Sequence, residues 1–136
     1  MATRLLSSLG LIALASCSFG ADRRLASDAV AQFHDLYNSG EYPKIYEDAD
    51  PDLRKTTTEA DFDNLMSAIR RKLGACKSSE NQGWNVDEEF GGAQVTLTFH
   101  TVFTEGDARE RFVYKLVAGK PHLLGYNINS PTLILK

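Results

Sequence analysis

Basic runs are scarce in this sequence. Its 136 residues contain 15 lysines and arginines against 18 aspartates and glutamates, for a formal net charge of −3, and the longest basic run is the three residues 70–72. Without a basic stripe the chain lacks the electrostatic footprint that grips a phosphate backbone. We therefore expect no nucleic-acid partner.

Motifs for metals, cofactors and covalent catalysis are missing as well. His34, His100 and His122 stand apart, without the short spacings that build a zinc or iron site. The acidic segments 47–52 and 87–89 lack the glycine-containing alternation of a calcium loop, and we interpret them as solvated loops. There is no glycine-rich phosphate loop and no nucleophile elbow. The sequence thus predicts no metal, no cofactor and no catalytic residue.

The N-terminal segment has the pattern of a secretion signal. Arg4 precedes an uncharged run, residues 5–21, that is rich in leucine, isoleucine and alanine. Serines and a glycine interrupt this run, whereas a membrane-spanning helix needs about 20 predominantly apolar residues. A cleaved signal is therefore favoured over a retained membrane helix.

Residues 14–17 of that segment, LASC, resemble the lipobox of bacterial lipoproteins. The resemblance implies cleavage before Cys17 and acylation of its sulfur and its amine, so that lipid tethers the mature protein to a membrane. Two or three acyl chains anchor durably, because each buried methylene contributes about 0.8 kcal/mol and one chain alone holds only marginally. Ser18 replaces the aspartate typical of retention at the inner membrane, which favours the outer membrane.

The alternative treats Cys17 as an ordinary residue of the apolar run. Cleavage after Gly20 or Ala21 would then release a soluble secreted protein. On the lipobox interpretation the chain divides into a signal peptide over residues 1–16, a lipidated tether over 17–24 and a single domain over 25–136.

The spacing of apolar residues along the mature chain changes once, from a helical period to the two-residue period of strands. Apolar residues at helical spacing predict helices over 27–39, about 43–50 and 58–73. Two-residue alternation then predicts strands over 93–104, 110–118 and 122–129, with a shorter strand around Trp84. Helices followed by a meander indicate an α+β fold, in which N-terminal helices cover one face of a curved antiparallel sheet of about four strands.

Two segments, GEYPKIYEDADPDLR and LLGYNINS, resemble nuclear transport factor 2-like, cystatin-like cone domains of the uncharacterised bacterial secreted type. The resemblance spans most of residues 25–130. It implies a pocket between helices and sheet, and some relatives are isomerases or dehydratases. Tyr37, Tyr46 and Tyr114 are the candidate pocket residues, with His100 considered beside them. The alternative packs Tyr114 in the core and turns His100 to the outer face.

Two further residues have two interpretations each. Cys76 follows a predicted helix end and is interpreted as a small, partly buried hydrophobe, with a reactive thiol as the alternative. The chain has only one other cysteine, so a lipidated Cys17 excludes a disulfide within the mature chain. Trp84, together with Phe90, either covers one end of the sheet or contacts a ligand or partner.

The leading functional hypothesis is a non-enzymatic envelope lipoprotein whose domain binds an unknown protein or small ligand. Val102, Val113 and Val117 make the outer sheet face more apolar than solvent requires, which suggests a homodimer through that face. The alternative is an isomerase-like or dehydratase-like enzyme that uses the cone pocket.

Overall fold

A computed structural model gives the fold; it describes residues 15–89 and 92–135, with the backbone alone at 15–19 and at 89. Five helices and four strands follow one another along this part of the chain. The helices are α1 (Ala15–Asn38), α2 (Tyr42–Glu47), α3 (Pro51–Thr56), α4 (Glu59–Leu73) and α5 (Pro131–Leu135). The strands are β1 (Cys76–Glu89), β2 (Gly92–Phe103), β3 (Gly106–Val117) and β4 (Lys120–Asn129).

The four strands form one antiparallel sheet in the order β1-β2-β3-β4. The sheet is curved and open, and the helices that precede it in the chain pack on one face, so the predicted α+β fold is confirmed. The predicted alternation of β2 is confirmed too. Its buried residues are Val95, Leu97, Phe99, Thr101 and Phe103.

Helix α1 begins at Ala15, so the predicted start at residue 27 is wrong. The helix continues upstream because its buried face does: Ala26 is fully buried and Leu25 packs against the core. Arg23 lies over the ring of Trp84 on β1, with its guanidinium carbon 4.9 Å from the ring centroid. Residues 17–24, predicted as a tether, thus belong to α1, and the acylation of Cys17 stays a prediction.

Two short helices were not predicted. Helix α2 ends before Pro51, and Pro51 begins α3, because proline fits the first turn, where its missing N–H is not needed. Asp50 caps this helix, accepting a hydrogen bond from the backbone N–H of Asp52 at 2.9 Å. Helix α5 follows the buried Ser130, whose hydroxyl donates to the backbone carbonyl of Asp107 at 2.6 Å.

The core lies between the helices and the inner face of the sheet. Phe112, fully buried on β3, is at its centre, with ring centroids of Phe33 and Tyr126 at 5.0 Å and 5.2 Å. Helix α4 contributes Phe62, Met66, Ile69 and Leu73 to the core, as its helical spacing predicts, whereas Leu65, predicted for the same face, is 43% exposed. Gly74 ends this helix as predicted.

The predicted signal peptide lies outside the described residues as far as residue 14, and so does Phe90. Of the helices that are described, none combines the length and apolar character needed to span a membrane.

Candidate functional site

Glu110 is a carboxylate in the middle of the hydrophobic core. Its relative exposure is 1%, because it lies on β3 two residues before Phe112 and therefore on the same inner face. Sequence analysis missed this residue. The signal was the two-residue alternation itself, which when extended back from Phe112 assigns Glu110 to the buried face.

Three side chains satisfy the Glu110 carboxylate. The Oε1 atom lies 2.7 Å from His34 Nε2 and accepts a hydrogen bond from Thr101 Oγ1 at 2.5 Å. The Oε2 atom accepts one from the hydroxyl of Tyr126 at 2.5 Å. A buried charge is tolerated only when it is paired and hydrogen-bonded, so these donors are a condition for Glu110 to lie in the core.

His34 reaches this carboxylate from α1. It lies one turn after Val30 on the buried face of the helix, and it is 6% exposed. Burial by itself lowers the pKa of His34, but its interactions with Cys76 and Glu110 outweigh this effect and raise the pKa to about 9. His34 and Glu110 therefore form a buried ion pair at neutral pH.

Cys76 is half-buried at the start of β1, and its backbone is attached to the helix that carries His34. Asn38, one turn beyond His34 on α1, holds the backbone of Cys76 on both sides. Its Oδ1 accepts from the Cys76 N–H at 2.8 Å, and its Nδ2 donates to the Cys76 carbonyl at 3.0 Å.

The turn from α4 into β1 allows this placement. Gly74 has φ of +80° and ψ of −156°, a conformation open essentially to glycine alone. Its carbonyl accepts a hydrogen bond from the hydroxyl of Tyr37 at 2.7 Å, which attaches the turn to α1. The turn and the first residue of β1 are thus both held against α1.

The predicted pocket tyrosines lie at separate places. Tyr37 supports the Gly74 turn, and Tyr46 donates to the carbonyl of Thr57 at 2.7 Å beyond the end of α3. Tyr114 is 4% exposed on the inner sheet face and lines a small cavity. Burial raises the pKa of Tyr114 above its usual range, so its hydroxyl stays protonated at neutral pH.

That cavity lies between α1, α2 and β4 and measures about 70 Å³. Its lining is mainly apolar, including Phe33, Leu36, Ile45 and Leu123, with Asp48 and Gln32 at its border. Pockets that enclose a small organic ligand typically have about 300–1,000 Å³. The space beside Tyr114 is therefore large enough for water but too small for such a ligand.

The three histidines do not meet. His34 is in the core, whereas His100 lies on the outer face, with its Nε2 3.3 Å from an Asp107 carboxylate oxygen. His122 lies at the start of β4, with its Nδ1 3.1 Å from the carbonyl of Asp48. Within residues 15–89 and 92–135, no three histidine, cysteine, aspartate or glutamate side chains are grouped so that they could hold a metal ion.

The outer sheet face is mixed in character. Val102 and Val113 are half-buried there and Val117 is 42% exposed, while Arg109 and Arg111 border an open depression of about 340 Å³ beside Gly83. Trp84, opposite Leu97 in the strand register, belongs to the other face. It remains 47% exposed beneath Arg23.

No protein-family model matches this chain, and a comparison with curated proteins gives no significant sequence match. The resemblances to lipoproteins and to cone domains therefore depend on the sequence motifs already described.

Proposed function

We propose that this protein is a non-enzymatic, lipid-anchored protein of the bacterial envelope, at the outer membrane in preference to the inner, whose α+β domain binds a protein partner or small ligand at its surface. The anchor is supported by the LASC motif, in which Cys17 follows a leucine and two small residues. The binding role is supported by a single observation, which is that side chains fill the core and leave little room for an enclosed ligand.

Side chains fill the space where a cone domain would hold a ligand. The rings of Phe33 and Tyr126 lie 4.9 Å apart, between α1 and the sheet, and both contact Phe112. The cavity beside Tyr114, of about 70 Å³, is too small to favour the alternative, an isomerase-like or dehydratase-like enzyme acting on a substrate enclosed there. Binding through the surface is the better supported role.

The path of α1 suits a short attachment to a membrane. Ala26, which is fully buried in the domain, lies nine positions after Cys17 on α1. At ~1.5 Å per helical residue, this part of α1 would separate the acylated residue from the domain by about 13 Å. The domain would lie close to the lipid surface, with its sheet available to a partner.

The outer sheet face is the surface that we propose for self-association. Val117 is exposed on it, and Val102 and Val113 add apolar area beside the arginines. Velocity sedimentation of the mature protein in detergent should give a dimer that Val117→Lys weakens, while Leu65→Lys, a change at an exposed position on α4, has no effect. A strict monomer at high concentration would remove the dimer from the proposal.

Mass spectrometry of the mature N-terminus tests the anchor. The full chain, expressed in a bacterium and extracted from the membrane fraction, should begin at an acylated Cys17. Cys17→Ser should leave the leader unprocessed and the protein without lipid, because acylation requires the thiol. The matched control is Cys76→Ser, a change at the chain's other cysteine, which should still be lipidated. An unmodified terminus at Ala21 or Asp22 would overturn the proposal.

A further inference from the structure

Two arginines lie side by side on the outer face of an inner strand of the sheet. Arg109 and Arg111 are two positions apart on β3, and they alternate with the buried residues Ala108, Glu110 and Phe112. Residues at this spacing share one face of the strand, with their Cα atoms about 7 Å apart. Both side chains are exposed and carry the same charge, so they repel each other unless an anion lies between them.

No carboxylate of the described residues balances these two charges. Neither arginine forms an ion pair with a residue in the part of the chain that the structure describes. Asp107, the acidic residue on the same face of β3, has its Oδ2 atom 3.3 Å from His100 Nε2. Glu80 lies beyond His100, two strands from Arg109, and at about 10 Å the interaction of exposed charges is largely screened. The strand register places Thr98 and Asn127 beside Arg111, and His100 and Asn129 beside Arg109.

The two arginines border an open depression on this face of the sheet. It measures about 340 Å³, and its other lining residues are Gln82, Gly83 and Thr98. The register of β1 is irregular between Asn81 and Gly83, and nothing lies within 4 Å of the position that a Cβ on Gly83 would occupy. Guanidinium, hydroxyl and amide groups can therefore all donate hydrogen bonds into the depression, and none of its described lining residues has a carboxylate.

We propose that this depression binds a phosphate monoester between Arg109 and Arg111, an inference that rests on the proposed surface binding and names its small ligand. A phosphate monoester carries a charge of about −1.5 to −2 at pH 7 and has three acceptor oxygens. Each guanidinium can donate two parallel hydrogen bonds to such a group, and the hydroxyl of Thr98 can donate a further one. A carboxylate has a single charge and matches only one arginine. Two arginines suffice for one phosphate group but not for a nucleic acid, in agreement with the expectation from composition.

A phosphate titration followed by NMR tests the site. Full-length Cys17→Ser protein is titrated with inorganic phosphate at pH 7.5 and constant ionic strength. The backbone amide signals of Gly83 and Thr98 and the Nε–Hε signals of both arginines should shift and saturate, with a dissociation constant of about 1 mM or tighter. Acetate should bind about fivefold more weakly or worse, because it lacks the charge for a second ion pair. Signals that fail to saturate up to about 20 mM phosphate would overturn the proposal.

Variants at the two arginines distinguish a site from general charge attraction. Arg109→Gln and Arg111→Gln should each weaken phosphate binding about fivefold or more, since each removes one ion pair. Arg111→Lys should give an intermediate affinity, because lysine keeps the charge but lacks the planar fork. The matched control is Arg71→Gln, which removes an exposed arginine from α4 and should leave binding unchanged. Equal losses in Arg71→Gln and Arg111→Gln would mean that only net charge attracts phosphate, which rules the site out. All these positions are exposed, so the variants should fold, which circular dichroism checks.

Two further probes present the same phosphate monoester from solution and from a lipid. Glycerol phosphate that binds more tightly than inorganic phosphate assigns a soluble ligand to the site. Co-sedimentation with vesicles of phosphatidylcholine and phosphatidic acid, lost when both arginines are changed to glutamine, assigns a lipid headgroup. If neither probe binds, the proposal is wrong. Acylation of Cys17 and dimerisation are measured separately, by mass spectrometry and sedimentation, so failure of phosphate binding is distinct from failure of the proposed function.

Discussion

The buried pair of His34 and Glu110 should make the protein less stable as the pH rises from neutral to alkaline. In the folded protein the pKa of His34 is about 9, against an ordinary value of 6.5 in the unfolded chain. Below pH 6.5 the imidazole is protonated in both states, and its contribution to stability is complete. Between pH 6.5 and about 9 the folded state binds more protons, so the free energy of unfolding falls with increasing pH.

The size of the effect follows from the two pKa values. One pKa unit corresponds to ~1.4 kcal/mol, so the rise from 6.5 to about 9 is worth about 3 kcal/mol in total. No large correction for solvent is needed, because the side chains of His34 and Glu110 are 8% and 1% exposed. A small domain has only about 5–15 kcal/mol of stability, so this loss is easily measured.

Urea unfolding of the full-length Cys17→Ser protein, followed by circular dichroism between pH 6 and pH 9.5, tests this expectation. The midpoint should move to lower urea as the pH rises, with little change in slope. His34→Gln should be less stable at pH 6 and should lack the decline, whereas His100→Gln should retain it. If the protein that retains both His34 and Glu110 shows a constant free energy of unfolding from pH 6.5 to pH 9, the reasoning is refuted.

Two further substitutions probe the core and the turn beside Cys76. Phe112→Ala empties a fully buried site and should cost about 3–5 kcal/mol by urea unfolding, while Val117→Ala at the exposed end of β3 should cost less than about 1 kcal/mol. Equal losses for the two variants would contradict the assignment of Phe112 to the centre of the core. Gly74→Ala places a Cβ against the hydroxyl of Thr104 at a φ of +80° and should cost at least about 2 kcal/mol. Gly40→Ala has similar φ strain, with nothing within 4 Å of the added Cβ, and should cost less. Thermal unfolding of both variants compares them, and the reverse order would count against the described turn.

The faces of the strands could be predicted because they are encoded locally. A strand turns successive side chains to opposite sides, so the alternation around Phe99 and Phe112 states which residues are buried without any knowledge of the partner strands. Helix α4 was predictable for the same reason, since its buried residues recur at helical spacing between the Thr58 cap and Gly74. The resemblance of LASC to a lipobox is local as well, because it depends on four consecutive residues and not on the fold.

Two features depend on contacts between distant parts of the chain: where α1 starts, and whether side chains fill the interior. Ala26 and Arg23 acquire their roles only when the sheet lies beneath the helix, so local spacing placed the start of α1 too late. Whether a cone domain is hollow depends on how its rings interdigitate. Phe33, Phe112 and Tyr126 fill the space here, which no alternation pattern states.

The sequence by itself determined the α+β order, the buried faces of β2 and β3, and the LASC motif. Only the tertiary structure decided that His34 and Glu110 meet in the core. His34 and Glu110 are 76 positions apart, and each lies on the buried face of its own element. A charged residue on a buried face requires a partner, but the pattern of one strand cannot say where the partner is. Packing of α1 across the sheet supplies the partner, because the buried face of α1, with His34, meets the buried face of β3, with Glu110.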